Sequence, residues 1–335
     1  MPSLEFASID DFLGPRDGRF LGEGFKRVDH SLTDLTISPG AQGAAGIEAT
    51  AHLAVPGAWS RKGGQQQKPH LSSIDVMIFA AQLTGLYAAH TCALGPDALF
   101  EVRSVDMKAG PSPDEEGLDE FPVSGRLAAA ETGGGSWSTT LECRVGSLSA
   151  RLHAVHSAGR PPTGTRRAYH LAQELPGPWN DQPYGVPHSA RRQLLTGVNV
   201  TGDGADGLQA SARVALVPDG AEAARDHTQA TMIDAFVAAM QLGQVLLYTL
   251  DGVDREGSNN LWMRRTRVTA GAGAPARGDD EVTARLGQAR VLPSDSGTWR
   301  SAELSGTLHG VQARASVVHL LNPSPHSGSQ GGEGR

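Results

Sequence analysis

Only two cysteines occur in 335 residues, Cys92 and Cys143, and no Cys-x-x-Cys pair is present. This excludes a disulfide framework and a structural zinc site, and it fits a reducing, cytoplasmic setting. Basic runs are also missing: 29 Lys and Arg stand against 36 Asp and Glu, for a net charge of −7. Nucleic acid is therefore not expected as a partner. The opening MPSLEFASIDDFLG holds acids where a secretory leader needs a basic start and an apolar core. No uninterrupted apolar run is long enough to span a bilayer. The longest, 74–94, contains Asp75, Gln82 and His90, which predicts a buried helix rather than a membrane span. No HExxH, GxGxxG, P-loop or GxSxG motif occurs, which weakens metallohydrolase, nucleotide-binding and serine-hydrolase readings. His153, His156, His309 and His319 fall on predicted strands without metal-ligand spacing. No metal and no cofactor is expected.

What is present is a repeat. The segment HLSSIDVMIFAAQLTGLY (70–87) has a counterpart in HTQATMIDAFVAAMQLGQVLLY (227–248). Asp75 falls on Asp234 and Gln82 on Gln241, both at an offset of 159 (234 − 75 and 241 − 82). Seven residues make two helical turns, so each Asp–Gln pair lies on one face of an otherwise apolar helix. After the helices, Arg103 matches Arg265 at 162, and Ala150-Arg151 matches Ala313-Arg314 at 163. Three blocks in order, with an offset drifting only as loop insertions would make it, predict a tandem duplication of a unit of about 150 residues.

Each unit reads as two strands, one long helix and about four strands. In the first, strands are expected at 32–37 and 45–55, where IEATAHLAV alternates apolar and polar residues, and then near 99–108, 121–130, 138–146 and 147–156. In the second they are expected near 194–201, 208–217, 261–270, 280–292, 299–308 and 310–320, with the helix at about 228–250. A short helix capped by Ser8 stops at Gly14-Pro15. One apolar helix followed by antiparallel strands is best buried by curving the sheet around it. That is the hotdog arrangement, and two in one chain make an α+β double hotdog whose sheets join edge to edge and remove two exposed edges. The expected organisation is an N-terminal helical segment (1–30), a first hotdog (31–158), a linker and irregular segment (159–193), a second hotdog (194–321) and a disordered tail (322–335).

A helix N-terminus offers free N–H groups and a positive dipole end, which suit the oxyanion formed when a thioester carbonyl is attacked. His70 just before the first helix is a candidate general base, with Asp75 to orient it. Asp226-His227 and Asp234 are the corresponding candidates in the second unit. Each also has a plainer reading as a helix cap or a charge satisfying the dipole. Ser73, Gln82, Gln241, Arg103 and Arg265 are candidates for substrate binding. The glutamines are equally suited to hydrogen-bonding across the core. Arg103 and Arg265, with Arg264 and Arg267 nearby, could meet a phosphate or lie solvated on a strand.

Two resemblances bear on these residues. His70-Leu71-Ser72-Ser73-Ile74-Asp75 is similar to the His-Pro-x-Leu-Leu-Asp motif of polyketide dehydratase domains, with Leu71 in place of Pro. Asp226-His227 is similar to the dehydratase Asp-His, without the Gly and Pro that follow it there. More extensively, ASIDDFLGPRDGRFLGEGFKRVDHSL together with PHLSSIDVMIFAAQL resembles the avirulence D (AvrD) family, and the resemblance runs through most of the chain. That family is associated with syringolide-type signals, lactones built from a β-ketoacyl chain and a keto sugar, and it parallels the A-factor synthases that make butyrolactones. The resemblance implies an enzyme joining a β-ketoacyl thioester, on a carrier protein or coenzyme A, to a keto sugar or hydroxyketone phosphate. A homodimer is compatible with it. Dehydratase or thioesterase action, and non-catalytic binding of an acyl or lactone signal, are the alternatives.

Overall fold

The computed structural model describes residues 3–40, 44–133, 135–160, 165–202, 207–219, 229–271 and 280–321. The expected tail (322–335) lies outside them. Strand β3 (Gly46–Ala54) follows its alternation, burying Ile47, Ala49, Ala51 and Leu53 and turning Glu48 outward. Its unit is completed by β2 (Asp29–Ser38), the helix α2 (Ser73–Cys92), β6 (Phe100–Lys108), β7 (Phe121–Glu131), β8 (Ser136–Val145) and β9 (Leu148–Ser157). The stretch between β3 and α2 carries a separate small hairpin of β4 (Arg61–Lys62) and β5 (Gln65–Gln66). The second unit holds β11 (Arg191–Thr201), β12 (Gln209–Pro218), the helix α4 (Met232–Asp251), β13 (Trp262–Thr269), β14 (Glu281–Ser294), β15 (Gly297–Leu308) and β16 (Val311–Leu320).

Both long helices begin with the same device. The Ser72 hydroxyl accepts the N–H of Asp75, whose carboxylate accepts the N–H of Ser72; Thr231 and Asp234 repeat this in α4. Such a capping box satisfies two orphan donors at once. Both helices end in a left-handed residue, Ala93 (φ 53°) and Gly252 (φ 64°). Every residue of α2 except Ser73 and His90 is buried, as an apolar surface on all sides requires. Helix α4 is long and apolar enough to cross a membrane, but it is largely enclosed by protein. Each helix packs against all six strands of its own unit.

Fourteen strands form one antiparallel sheet in the order β1-β11-β12-β14-β15-β16-β13-β6-β9-β8-β7-β3-β2-β10, where β1 is Leu4–Ser8 and β10 is Arg167–Leu171. The units meet at β6 and β13. There Ser104 faces Thr269 and Met107 faces Thr266, so the offset of 162 (266 − 104 and 269 − 107) exchanges the two pairs as a two-fold axis would. The bulges correspond as well. The β2–β3 ladder slips between Thr33 and Thr36, and β11–β12 between Thr196 and Asn199. The extra residues, Asp34 and Gly197, both have positive φ.

The sequence reading assigned no strand to the stretches holding β1 and β10. They are themselves repeats, offset by 163 (167 − 4 and 171 − 8), and they are exchanged: β1 pairs with β11 of the second unit, and β10 with β2 of the first. Neither stretch is long or apolar enough to announce a strand, and pairing with the other unit is what orders each. Tyr169 of β10 is buried, and its hydroxyl meets His90 Nδ1 at 2.8 Å. The segments that follow are exchanged too. The short helix α1 (Ile9–Leu13), capped by Ser8, packs on α4, and α3 (Pro178–Asp181) packs on α2.

Candidate functional site

A cavity of about 160 Å³ opens between the start of α2 and the flank of α4. His70, Ser73 and Ile74 form one wall; Phe236, Gln244 and Tyr248 of α4 form the facing wall. The loop between β3 and α2 closes it with Trp59 and Lys62, and the segment after α1 adds Arg19. The loop after α4 adds Arg255, and the start of β13 adds Trp262. The site therefore draws on both units. His70 stacks edge-on against Trp59, ring centres 4.5 Å apart. The capping box uses the N–H groups of Ser72 and Asp75. Among the described residues, those of Ser73 and Ile74 have no protein acceptor and are free for a ligand.

The charges in this cavity are all of one sign. Arg19, Lys62 and Arg255 line it, and no Asp or Glu does. Burial, reinforced by Arg255, pulls Lys62 down to about 8 and Arg19 to about 10, so both remain cationic at neutral pH. Arg19 is held by Asp10 and by Gln241 Oε1 at 2.9 Å. Arg255 donates to the Arg61 carbonyl at 2.6 Å and to Glu256 at 2.9 Å. Asp10 and Glu256 thus compensate two of the cations from outside the cavity. Lys62 donates only to the Asn259 carbonyl, at 2.8 Å, and has no carboxylate partner among the described residues. Crowding three cations in a partly dry space is unfavourable unless an anion enters. Burial also pushes His70 below the usual imidazole range, against the pull of the Lys68 carbonyl. The ring is neutral at pH 7 and available as a base.

Of the residues singled out from the sequence, His70 and Ser73 lie at this cavity; Ser73 Oγ reaches Met263 Sδ at 3.8 Å. Asp75 lies elsewhere. Its carboxylate meets His30 Nε2 at 2.7 Å and the Ser72 N–H, and it makes no hydrogen bond to His70. Asp234 is locked by Arg191, by Gln193 at 2.7 Å and by its own cap Thr231. Asp226 and His227 fall outside the described residues. Gln82 donates to the Asn180 carbonyl at 2.8 Å, while Gln241 accepts from Arg19. Arg103 and Arg265 lie away from the cavity on the sheet's solvent side, paired with Glu101 (2.8 Å) and Asp106 (2.7 Å). The repeat in sequence had joined them to the site, but strand alternation turns them outward.

The residues missed by sequence reasoning, Arg19, Lys62 and Arg255, come from three separate loops. The Gly-Pro pairs 14–15 and 177–178, also offset by 163, were the available signal that the leading segments belong to the repeat. The symmetry-equivalent place in the other unit is filled. Gly85 stands where α4 has Gln244, and a Cβ on it would lie 2.0 Å from Trp179 Cβ. Trp179 is fully buried there, and Tyr184 donates to the Met77 carbonyl at 2.9 Å.

A long helix wrapped by its own six strands, twice in one chain and joined edge to edge, is a double hotdog of the α+β class. The chain belongs to the avirulence D family: the family described as Pseudomonas avirulence D protein (AvrD) matches residues 4–322. No curated protein matches it in sequence. Among solved structures it is similar to the tesB protein of Mycobacterium avium subs paratuberculosis, with 12% identity, 82% of this chain and 93% of that one covered, and a TM-score of 0.38. It is similar also to a trans-AT PKS dehydratase domain from Brevibacillus brevis (13%, 85% and 97%, 0.35). An acyl-ACP thioesterase from Bacteroides thetaiotaomicron is a third (8%, 88% and 99%, 0.35). The chemistry of the site rests on this chain's own residues.

Proposed function

We propose that this chain is an acyl-thioester enzyme of hotdog type that joins a β-ketoacyl group to a sugar-like hydroxyketone. The thioester is carried on a carrier protein or coenzyme A. The observation that supports this reading is the cavity at the start of α2, where a neutral, half-buried His70 and free helix N–H groups share one space with three cations, of which Lys62 has no carboxylate partner among the described residues. The acyl chain lies against Ile74, Phe236 and Met263. Arg19, Lys62 and Arg255 hold a phosphate of the carrier arm or of the acceptor. The N–H groups of Ser73 and Ile74 polarise the thioester carbonyl.

His70 takes the proton of the acceptor hydroxyl as its oxygen attacks the thioester carbon. The tetrahedral oxyanion collapses, the C–S bond breaks, and the thiolate takes the proton back from His70. The product is a β-ketoacyl ester. Its activated methylene then adds to the acceptor's ketone within the same molecule, and loss of water closes a butenolide. His70 of the first unit serves this site; the symmetry-equivalent place, against the flank of α2, is filled by Trp179 and Tyr184.

The test is incubation of the protein with a β-ketoacyl thioester, with and without dihydroxyacetone phosphate or keto sugars, followed by mass spectrometry. An ester or lactone mass that needs the acceptor and is lost in His70→Ala supports the reading. Free acid without acceptor would make it a thioesterase, a dehydrated chain a dehydratase, and bound but unconverted ligand a binding protein.

A further inference from the structure

Further along α2, beside Ile78 and Gln82, lies a second cavity of about 220 Å³ that shares no lining residue with the cationic one. It is lined by His30, Gln82, Asn180 and His188, with Asp29 and Asp181 at its exposed rim. Four buried polar atoms around it have no hydrogen-bond partner: His30 Nδ1, Gln82 Oε1, Asn180 Oδ1 and His188 Nε2. Gln82 and Asn180 are more than nine-tenths buried, and so is the His30 side chain. Burying a polar atom unpaired is unfavourable, and four around one cavity are more than chance would leave.

The other unit provides an internal control. There the counterpart of Gln82 is Gln241, and its Oε1 accepts from the Arg19 guanidinium. The counterpart of His188, at an offset of 163, is Phe25, fully buried. The counterpart of His30 is Gln193, which is spent on Asp234. Arg19 follows the Pro of its Gly-Pro pair by four residues, and in the first unit that place belongs to Gln182. The first unit therefore lacks the donor group that fills the second.

The missing occupant must supply donors. Gln82 Oε1 and Asn180 Oδ1 can only accept. His30 Nε2 faces the Asp75 carboxylate and so carries a proton, and Nδ1 is left without a partner. His188 is neutral at pH 7, because burial and the neighbouring His30 hold it down to about 4. The occupant need not be charged. Asp10, which neutralises Arg19, is matched in the first unit by Gln173. At about 30 Å³ per water, the cavity has room for roughly seven waters or one molecule with a similar number of non-hydrogen atoms.

We propose that this cavity is a binding site for a small neutral polyhydroxylated molecule, whose hydroxyl groups donate to Gln82 Oε1 and Asn180 Oδ1 and meet the unpartnered ring nitrogens of His30 and His188. The site is separate from the cationic cavity, does not rest on the reaction proposed there, and its test needs no thioester.

The full chain would be titrated with erythritol and with L-erythrulose, following the ring ¹⁵N resonances of His30 and His188 and the heat of binding. Saturable shifts of both rings, with a Kd on the order of 1 mM, are expected. Gln182→Arg with Gln173→Asp grafts the second unit's plug and its counter-ion, and His188→Phe its aromatic; each should keep the melting temperature at or above that of the parent and weaken binding at least tenfold. Sulfate binding in the cationic cavity should stay unchanged in both. Rings that do not move at about 0.1 M probe, a hundredfold above that Kd, would overturn the proposal. Equal binding by both variants, or a probe-soaked crystal holding only water there, would do the same.

Discussion

Lys62 offers the sharpest test of the cationic cavity, because its charge is held at a cost. Burial and Arg255 lower its ammonium from 10.5 to about 8. An anion that requires the ammonium binds the protonated fraction, which is about 0.9 at pH 7 and about 0.1 at pH 9. Affinity should therefore fall about tenfold over that interval. Sulfate is the suitable probe, since its own charge does not change there, and ionic strength must be held constant. The same shift fixes the sign for stability. The unfolded chain keeps Lys62 at about 10.5 and the folded chain at about 8, so stability is present above pH 10.5 and is lost as pH falls towards 8. Lys62→Met keeps an unbranched stem and removes the buried charge. It should melt higher than the parent at pH 7, lose that advantage above about pH 10.5, and bind sulfate at least tenfold more weakly. Calorimetric titration and thermal melts across pH 7–11 read both effects. Sulfate affinity that is flat from pH 7 to 9, or a Lys62→Met protein less stable than the parent at pH 7, would refute the argument.

Three further outcomes are expected. His70→Asn should lower kcat by about 10²–10⁴ while the melting temperature holds; because burial keeps the ring low, the acid limb of the parent's pH–rate profile should lie below pH 6.5, and a limb above it would count against His70 as the base. Arg191→Ala strands the buried Asp234 carboxylate and should cost about 3–5 kcal/mol, seen as a lower urea midpoint with the slope retained; a change under 1 kcal/mol would mean the pair is not the lock described. Ala93→Gly relieves the left-handed C-cap that Gly252 already occupies in α4 and should stabilise by about 1 kcal/mol; a lower melting temperature would show that the Ala93 side chain contributes more than the strain costs.

The helices and most strands were legible because their signals are local. The apolar helices show themselves by composition, although the second starts at Met232 rather than near 228 and the caps Ser72 and Thr231 came from the structure; β3 shows its alternation directly. The strands β1 and β10 were not legible, because each is ordered only by a strand from the other unit. The chemistry was partly legible. His70 stands at the cavity because it immediately precedes a capped helix. Its expected partner Asp75 instead pairs with His30, which is 45 positions earlier, across a strand whose register no local pattern gives.

The sequence by itself determined the duplication, the two buried helices, and the strands whose alternation matches one buried face. These follow from spacing along the chain, which carries periodicity and local hydrogen bonding. Only the tertiary structure decided which unit keeps an open site. In both units an acid caps an apolar helix, but Arg191 locks one and His30 holds the other. In both units a leading segment crosses over, but one delivers Arg19 to a cavity and the other fills its place with Trp179. Those choices depend on which side chains converge through space from segments far apart in the chain.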